Sequence, residues 1–137
     1  MKPIAKNVNE KSIPPGLVDA YLTHFRTKND SLYWAWEEVD AATESLEFGL
    51  PLCLALVEAA ANHAELAYVA AGPLEDLLRR GGTPPAQALE APARESARVR
   101  EALHQVWLSP DDAAYTAWRA LVEKYPSSRD RTSIRTP

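Results

Sequence analysis

The chain has 137 residues, 46% apolar and 25% charged, with a net charge of −4 and a single cysteine. That length suits one core and not two, and one thiol excludes an internal disulfide. The longest apolar run falls far short of the roughly 20 residues a membrane span needs, and Met1 to Asn9 lack the apolar stretch of a secretory signal, so a reducing cytoplasm is the expected compartment.

The first twelve residues are polar and aperiodic, and read as a flexible arm. Pro14-Pro15 suits a helix start, where a missing N–H costs nothing. Leu17, Val18, Tyr21, Leu22 and Phe25 then recur at helical spacing and predict a helix from about Pro15 to Thr27. Asn29, Asp30 and Ser31 are N-cap types. They precede a second helix with Leu32, Trp36 and Val39 inward, ending near Ser45 where Phe48-Gly49 breaks the chain. Pro51 opens a third helix, Leu52 to Ala61, apolar on most sides except Glu58 and therefore central. Cys53 falls inside it and reads as a small buried hydrophobe. Asn62-His63 is a break, and Ala64 to Ala71 forms a further helical segment.

The run from Gly72 to Gly82 reads as a complete short helix. Gly72 frees a sharp turn and Pro73 takes the first helical position. Glu75 and Asp76 favour its start and Arg79 and Arg80 its end, Leu74, Leu77 and Leu78 face inward, and Gly81 closes it. Thr83 to Pro92 suggests a loop with a short helix. Ala93 to Leu108 is amphipathic, with Ala97, Ala102, Leu103, Val106 and Trp107 on its buried side. Ser109-Pro110-Asp111-Asp112 has the composition of a helix start, leading into a last helix with Ala114, Trp118, Leu121, Val122 and Tyr125. Pro126 stops it. The remainder is polar and basic and reads as a disordered tail, its Arg129, Arg131 and Arg135 a solvated end.

No stretch alternates as a strand would. The expectation is an all-α fold: a single compact bundle of six or seven short helices at 13–125, an arm at 1–12 and a tail at 126–137.

The block Glu65 to Leu78, containing Ala-Gly-Pro-Leu-Glu-Asp-Leu-Leu, is followed downstream by Leu103-His104-Gln105-Val106-Trp107. Together they resemble an uncharacterised bacterial domain family with that first motif and a later Leu-x-x-Val-Trp. The resemblance covers roughly Trp36 to Trp107. It implies a helical fold and bacterial origin, and brings no activity with it. The Gly-Gly-Thr-Pro-Pro that follows the first motif stands where members often have histidine-glycine.

The most telling functional feature is charge. Ser31 to Leu78 contains no Lys or Arg, yet carries Glu37, Glu38, Asp40, Glu44, Glu47, Glu58, Glu65, Glu75 and Asp76. A one-sign field repels nucleic acid and attracts a basic partner. Tyr33 and Trp34 leave the apolar stripe of their helix. They are either a binding hot spot or covered by another element, and the sequence leaves both open. The candidate partner-binding residues are therefore Tyr33, Trp34, Glu37, Glu38, Asp40 and Glu44. Gly72, Pro73, Leu74, Glu75 and Asp76 read as a structural helix start.

No nucleophile elbow or phosphate-binding loop is present, and no cofactor is implied. The expected function is a small acidic cytoplasmic protein-binding module. Its most concrete form is an immunity or antitoxin protein that occludes a basic toxin. One alternative is a metal-dependent hydrolase using Glu58, His63 and Glu65, with Glu75 and Asp76 as further acids. Another is a homo-oligomeric scaffold. Neither nucleic acid nor a membrane is an expected partner, and the oligomeric state is left open.

Overall fold

The computed structural model describes residues 13–127, and among these all regular structure is helical. The arm at 1–12 and most of the tail, from 128 onward, lie outside the described residues. At the near edge of the tail, Ser127 is buried.

The elements are α1 (Leu17–Thr27), α2 (Tyr33–Ala42), α3 (Leu46–Ala59), α4 (His63–Val69), a π-helical turn (Ala70–Leu74), α5 (Glu75–Gly81), α6 (Thr83–Ala88), α7 (Glu90–Glu95), α8 (Ala97–Gln105) and α9 (Tyr115–Lys124). The segments 63–81 and 83–95 each run nearly without interruption, so the described residues form seven helical rods. None is long and apolar enough to cross a membrane.

Helix α3 is the centre of the fold, as its apolar composition requires. It packs against α1, α2, α4, α5, α6, α8 and the π turn. Leu52, Cys53, Leu56 and Val57 are fully enclosed, and burial pushes the Cys53 thiol well above its ordinary pKa. The core continues through Leu77 and Leu78 of α5, Leu103 of α8 and Trp118 of α9, whose indole donates to the Leu103 carbonyl at 3.0 Å.

Several boundaries differ from the sequence reading. Helix α2 stops at Ala42, and Ser45 caps α3 by accepting from the Phe48 amide. Phe48-Gly49 is therefore the first turn of α3, and Pro51 sits inside that helix rather than opening it. Gly49 marks a close approach, not a break. A Cβ there would lie 2.9 Å from the Ala42 carbonyl oxygen and 2.9 Å from Leu77 Cδ1.

Trp36 does not point inward. The buried stripe of α2 is Ala35 and Val39, one turn apart, and Trp36 is 37% exposed. Small Ala35 lets α2 lie close on its neighbours, which turns the adjacent indole outward.

The Gly72-Pro73 pair does not begin a new helix. The chain stays helical from 63 to 81, and the π turn absorbs the proline, with the Glu75 amide reaching back to the Ala70 carbonyl. A widened turn accommodates a residue that lacks an N–H and crowds the preceding turn. Gly82, at φ 75°, rather than Gly81, terminates the rod.

Thr83 to Pro92, expected as a loop with a short helix, is helical in two consecutive pieces with only Leu89 between them. Ser96 interrupts the helix expected from Ala93 to Leu108 and caps α8 by accepting from the Val99 amide. Ala97 and Trp107 consequently face solvent, Trp107 at 78% exposure. Ser109 and Asp112 bond each other's neighbourhood in a turn, and α9 begins only at Tyr115.

Candidate functional site

Burial of Ala35 and Val39 leaves the rest of α2 as a ridge. Tyr33, Trp34 and Trp36 are each more than a third exposed, and Glu37 and Glu38 are exposed beside them. Tyr33 stacks on Trp36 with ring centroids 5.5 Å apart and planes 13° from parallel, and His24 of α1 meets Tyr33 edge-on at 6.0 Å. Such stacking holds the rings in place without removing them from water. Leu46 and exposed Phe48 extend the apolar surface onto the start of α3.

A depression flanks the ridge on either side. One is a shallow groove lined by Pro14, Leu17, Glu38, Ala41, Ala42 and Phe48. The other is a compact notch lined by Tyr21, Trp36, Val39, Asp40, Gly72, Pro73 and Asp76, where α1, α2 and the π turn meet.

The fold sorts the acidic residues that are contiguous in sequence. Arginines from outside the stretch neutralise some of them. Arg26 of α1 grips Glu65 through two nitrogens, and Glu65 also accepts from the Ala61 amide at 2.8 Å. These contacts, the Arg26 hydrogen bond first, hold the Glu65 carboxyl below the usual carboxylate range. Arg79 pairs with Glu75 at 2.8 Å, and Arg80 pairs with Asp40 at 3.0 Å while donating to the Thr43 hydroxyl. Glu37, Glu38, Glu44 and Glu47 have no ion-pair partner among the described residues. These four exposed carboxylates lie on the free surface of α2, the turn that follows it and the first turn of α3. Of the candidate partner-binding residues, Tyr33, Trp34, Glu37, Glu38 and Glu44 share this free surface. Asp40 is held by Arg80.

The adjacent pair Glu75-Asp76 separates by role. Glu75 is buried and accepts from the Trp107 amide at 2.8 Å, while Arg79 donates to the Trp107 carbonyl at 3.0 Å. The clamp joins the two sequence blocks that carried the family resemblance. Asp76 has no hydrogen bond and no ion pair among the described residues, and it lines the notch. Burial, the largest influence, raises its carboxyl pKa; Arg80 and Arg79 lower it and Asp40 raises it.

The hydrolase constellation does not assemble. His63 Nδ1 lies 3.0 Å from Glu101, Glu65 is bound by Arg26, and Glu58 is 3.4 Å from the Ser96 hydroxyl. No group of three or more His, Cys, Asp or Glu is placed to share a metal ion among the described residues.

Sequence reasoning missed Tyr21 and Trp36 as walls of a site. The signal was present: Leu66, Val69, Ala70, Pro73, Leu74 and Leu77 keep helical spacing straight across Gly72-Pro73. An unbroken period through a proline points to a distorted helix, and π turns often accompany functional sites.

A model of a family of unknown function, DUF6869, matches residues 23–124. No curated protein and no solved structure matches the chain.

Proposed function

We propose that this chain, which belongs to that family of unknown function, works by binding a basic protein through the α2 ridge. Its most concrete form is an immunity or antitoxin protein of the bacterial cytoplasm that occludes a toxin's basic cleft. One observation carries the reading. Exposed aromatic rings lie among carboxylates that lack arginine partners, while other acids of the same stretch are neutralised within the fold. Aromatic anchors within a charged rim are the usual composition of a protein-binding hot spot. Unpaired surface carboxylates steer a basic partner toward it.

The test is capture from the native cell with the full chain as bait, identified by mass spectrometry. A basic protein retained by the wild type, and lost with both Glu37→Lys/Glu38→Lys and Trp34→Ala, supports the reading. The same proteins on all three baits would overturn it. A dimeric mass in solution that becomes monomeric on Trp34→Ala would instead assign the ridge to a second copy of the chain.

A further inference from the structure

We propose that the notch between α1, α2 and the π turn receives a lysine ammonium head presented by the basic partner. This rests on the reading of α2 as a partner-binding ridge.

Its walls are aromatic and its spare charge is negative. Tyr21 is almost fully buried and Trp36 partly open, so one ring anchors the notch and the other borders its mouth. Val39, Gly72 and Pro73 supply the remaining surface. A Cβ on Gly72 would stand 3.3 Å from the Tyr21 hydroxyl, so a larger residue would crowd the cavity wall.

Two carboxylates, Asp40 and Asp76, line the space, and Arg80 is committed to Asp40. One negative charge is left over, on Asp76. A cation against an aromatic face beside an unpaired carboxylate gains from both the ring quadrupole and a charge-assisted hydrogen bond.

The cavity is small, about 80 Å³, which favours a compact cationic head. An ammonium on a flexible stem is compact, whereas a guanidinium is a wide planar fork. The charged and titratable groups around Asp76 are Asp40 on α2, Arg79 and Arg80 on α5, Tyr21 on α1 and Cys53 on α3. Burial already disfavours the Asp76 carboxylate. A bound ammonium would relieve that cost, so protons and the cation compete for the same group.

The experiment needs no partner. The full chain is titrated with N-acetyl-lysine methylamide while the Trp36 indole and Gly72 amide signals are followed by NMR. The Trp36 signal is assigned with Trp36→Phe. Saturable shifts of both signals are expected. N-acetyl-norleucine methylamide, uncharged at the same position, should produce none. Asp76→Asn should weaken binding about tenfold or more, and Glu95→Gln, at an exposed carboxylate outside the ridge and the notch, by no more than about twofold. The wild-type affinity should also fall as pH drops through the Asp76 pKa, a readout that needs no variant to fold.

Equal shifts with the norleucine compound, unchanged affinity in a folded Asp76→Asn, or shifts that do not saturate would each overturn the proposal. Ammonium binding without a captured protein would leave the notch standing and sink the ridge. A captured protein without ammonium binding would do the reverse.

Discussion

Two carboxylates eleven residues apart, Glu65 and Asp76, meet opposite environments. Glu65 is buried against Arg26 and the Ala61 amide, and its pKa falls below the ordinary 4.5. A depressed carboxyl stabilises the fold above its unfolded pKa, and that contribution is lost as pH drops through the folded value. Glu65→Gln should therefore destabilise the protein at neutral pH, and the gap to wild type should narrow below about pH 4.5. Asp76 is raised above 3.8 by burial. Its favourable contribution exists only below the unfolded pKa and disappears as pH rises through the folded one. Asp76→Asn should therefore stabilise the fold at neutral pH and make little difference in strong acid. Denaturant melts of the two variants across this range would check the pair. Coincident pH profiles would show that the two groups share one environment. A residue that costs stability where it stands, beside a cavity, has the character of a functional group more than a structural one.

At the scale of elements, the apolar period was legible and the joints were not. Leu56, Leu77, Leu103 and Trp118 are enclosed as their spacing requires. The centrality of α3 followed from its having almost no polar face. Boundaries failed where one residue carries two meanings. Gly49 resembles a breaker because glycine is a poor helix former, but its missing side chain serves a crossing. Pro73 resembles a first helical position because proline is favoured there, but a π turn tolerates it too. Trp36 shares the helical spacing of Leu32 and Val39, yet Ala35 and Val39 hold the inner stripe, because the space beneath α2 is narrow. The exposed side of α2 was legible because its aromatics could not all be buried. The notch was not, because it is assembled from α1, α2 and the π turn. Gly49→Ala discriminates between the two readings of that glycine. Propensity alone favours alanine in a helix by about 0.5–1 kcal/mol. The new Cβ would meet backbone of the preceding turn, the Ala42 oxygen at 2.9 Å and Thr43 Cα at 3.1 Å. Crowding of this kind costs about 1–3 kcal/mol, so chemical denaturation should show a net loss of up to about 2.5 kcal/mol. A gain in stability would mean that α3 can shift away from α2 without cost.

Over the whole molecule, the acidic stretch becomes directional only after folding. Arg26, Arg79 and Arg80 lie outside it in sequence, yet the chain brings them back onto Glu65, Glu75 and Asp40. Of the acids left unpaired, Glu37, Glu38, Glu44 and Glu47 follow one another along α2, the turn after it and the first turn of α3, while Asp76 lines the notch. Such charge acts on a partner before contact, over a reach of about 10 Å at 0.1 M salt. The rings beside it act only once water has been expelled. The two contributions should therefore separate in time. Against the captured basic partner, raising the salt should slow association, and Glu37→Lys/Glu38→Lys should slow it further while changing dissociation little. Trp34→Ala should leave association nearly unchanged and speed dissociation, because most affinity differences within one interface reside in the off-rate. Kinetic binding traces at two ionic strengths would resolve the pattern. An association rate indifferent to salt and to the charge reversal would remove steering from the acidic face, whatever Trp34→Ala did to the off-rate. The rings would then be the remaining basis for a protein interface on α2, and the contiguous acids would be a solubility feature of the surface.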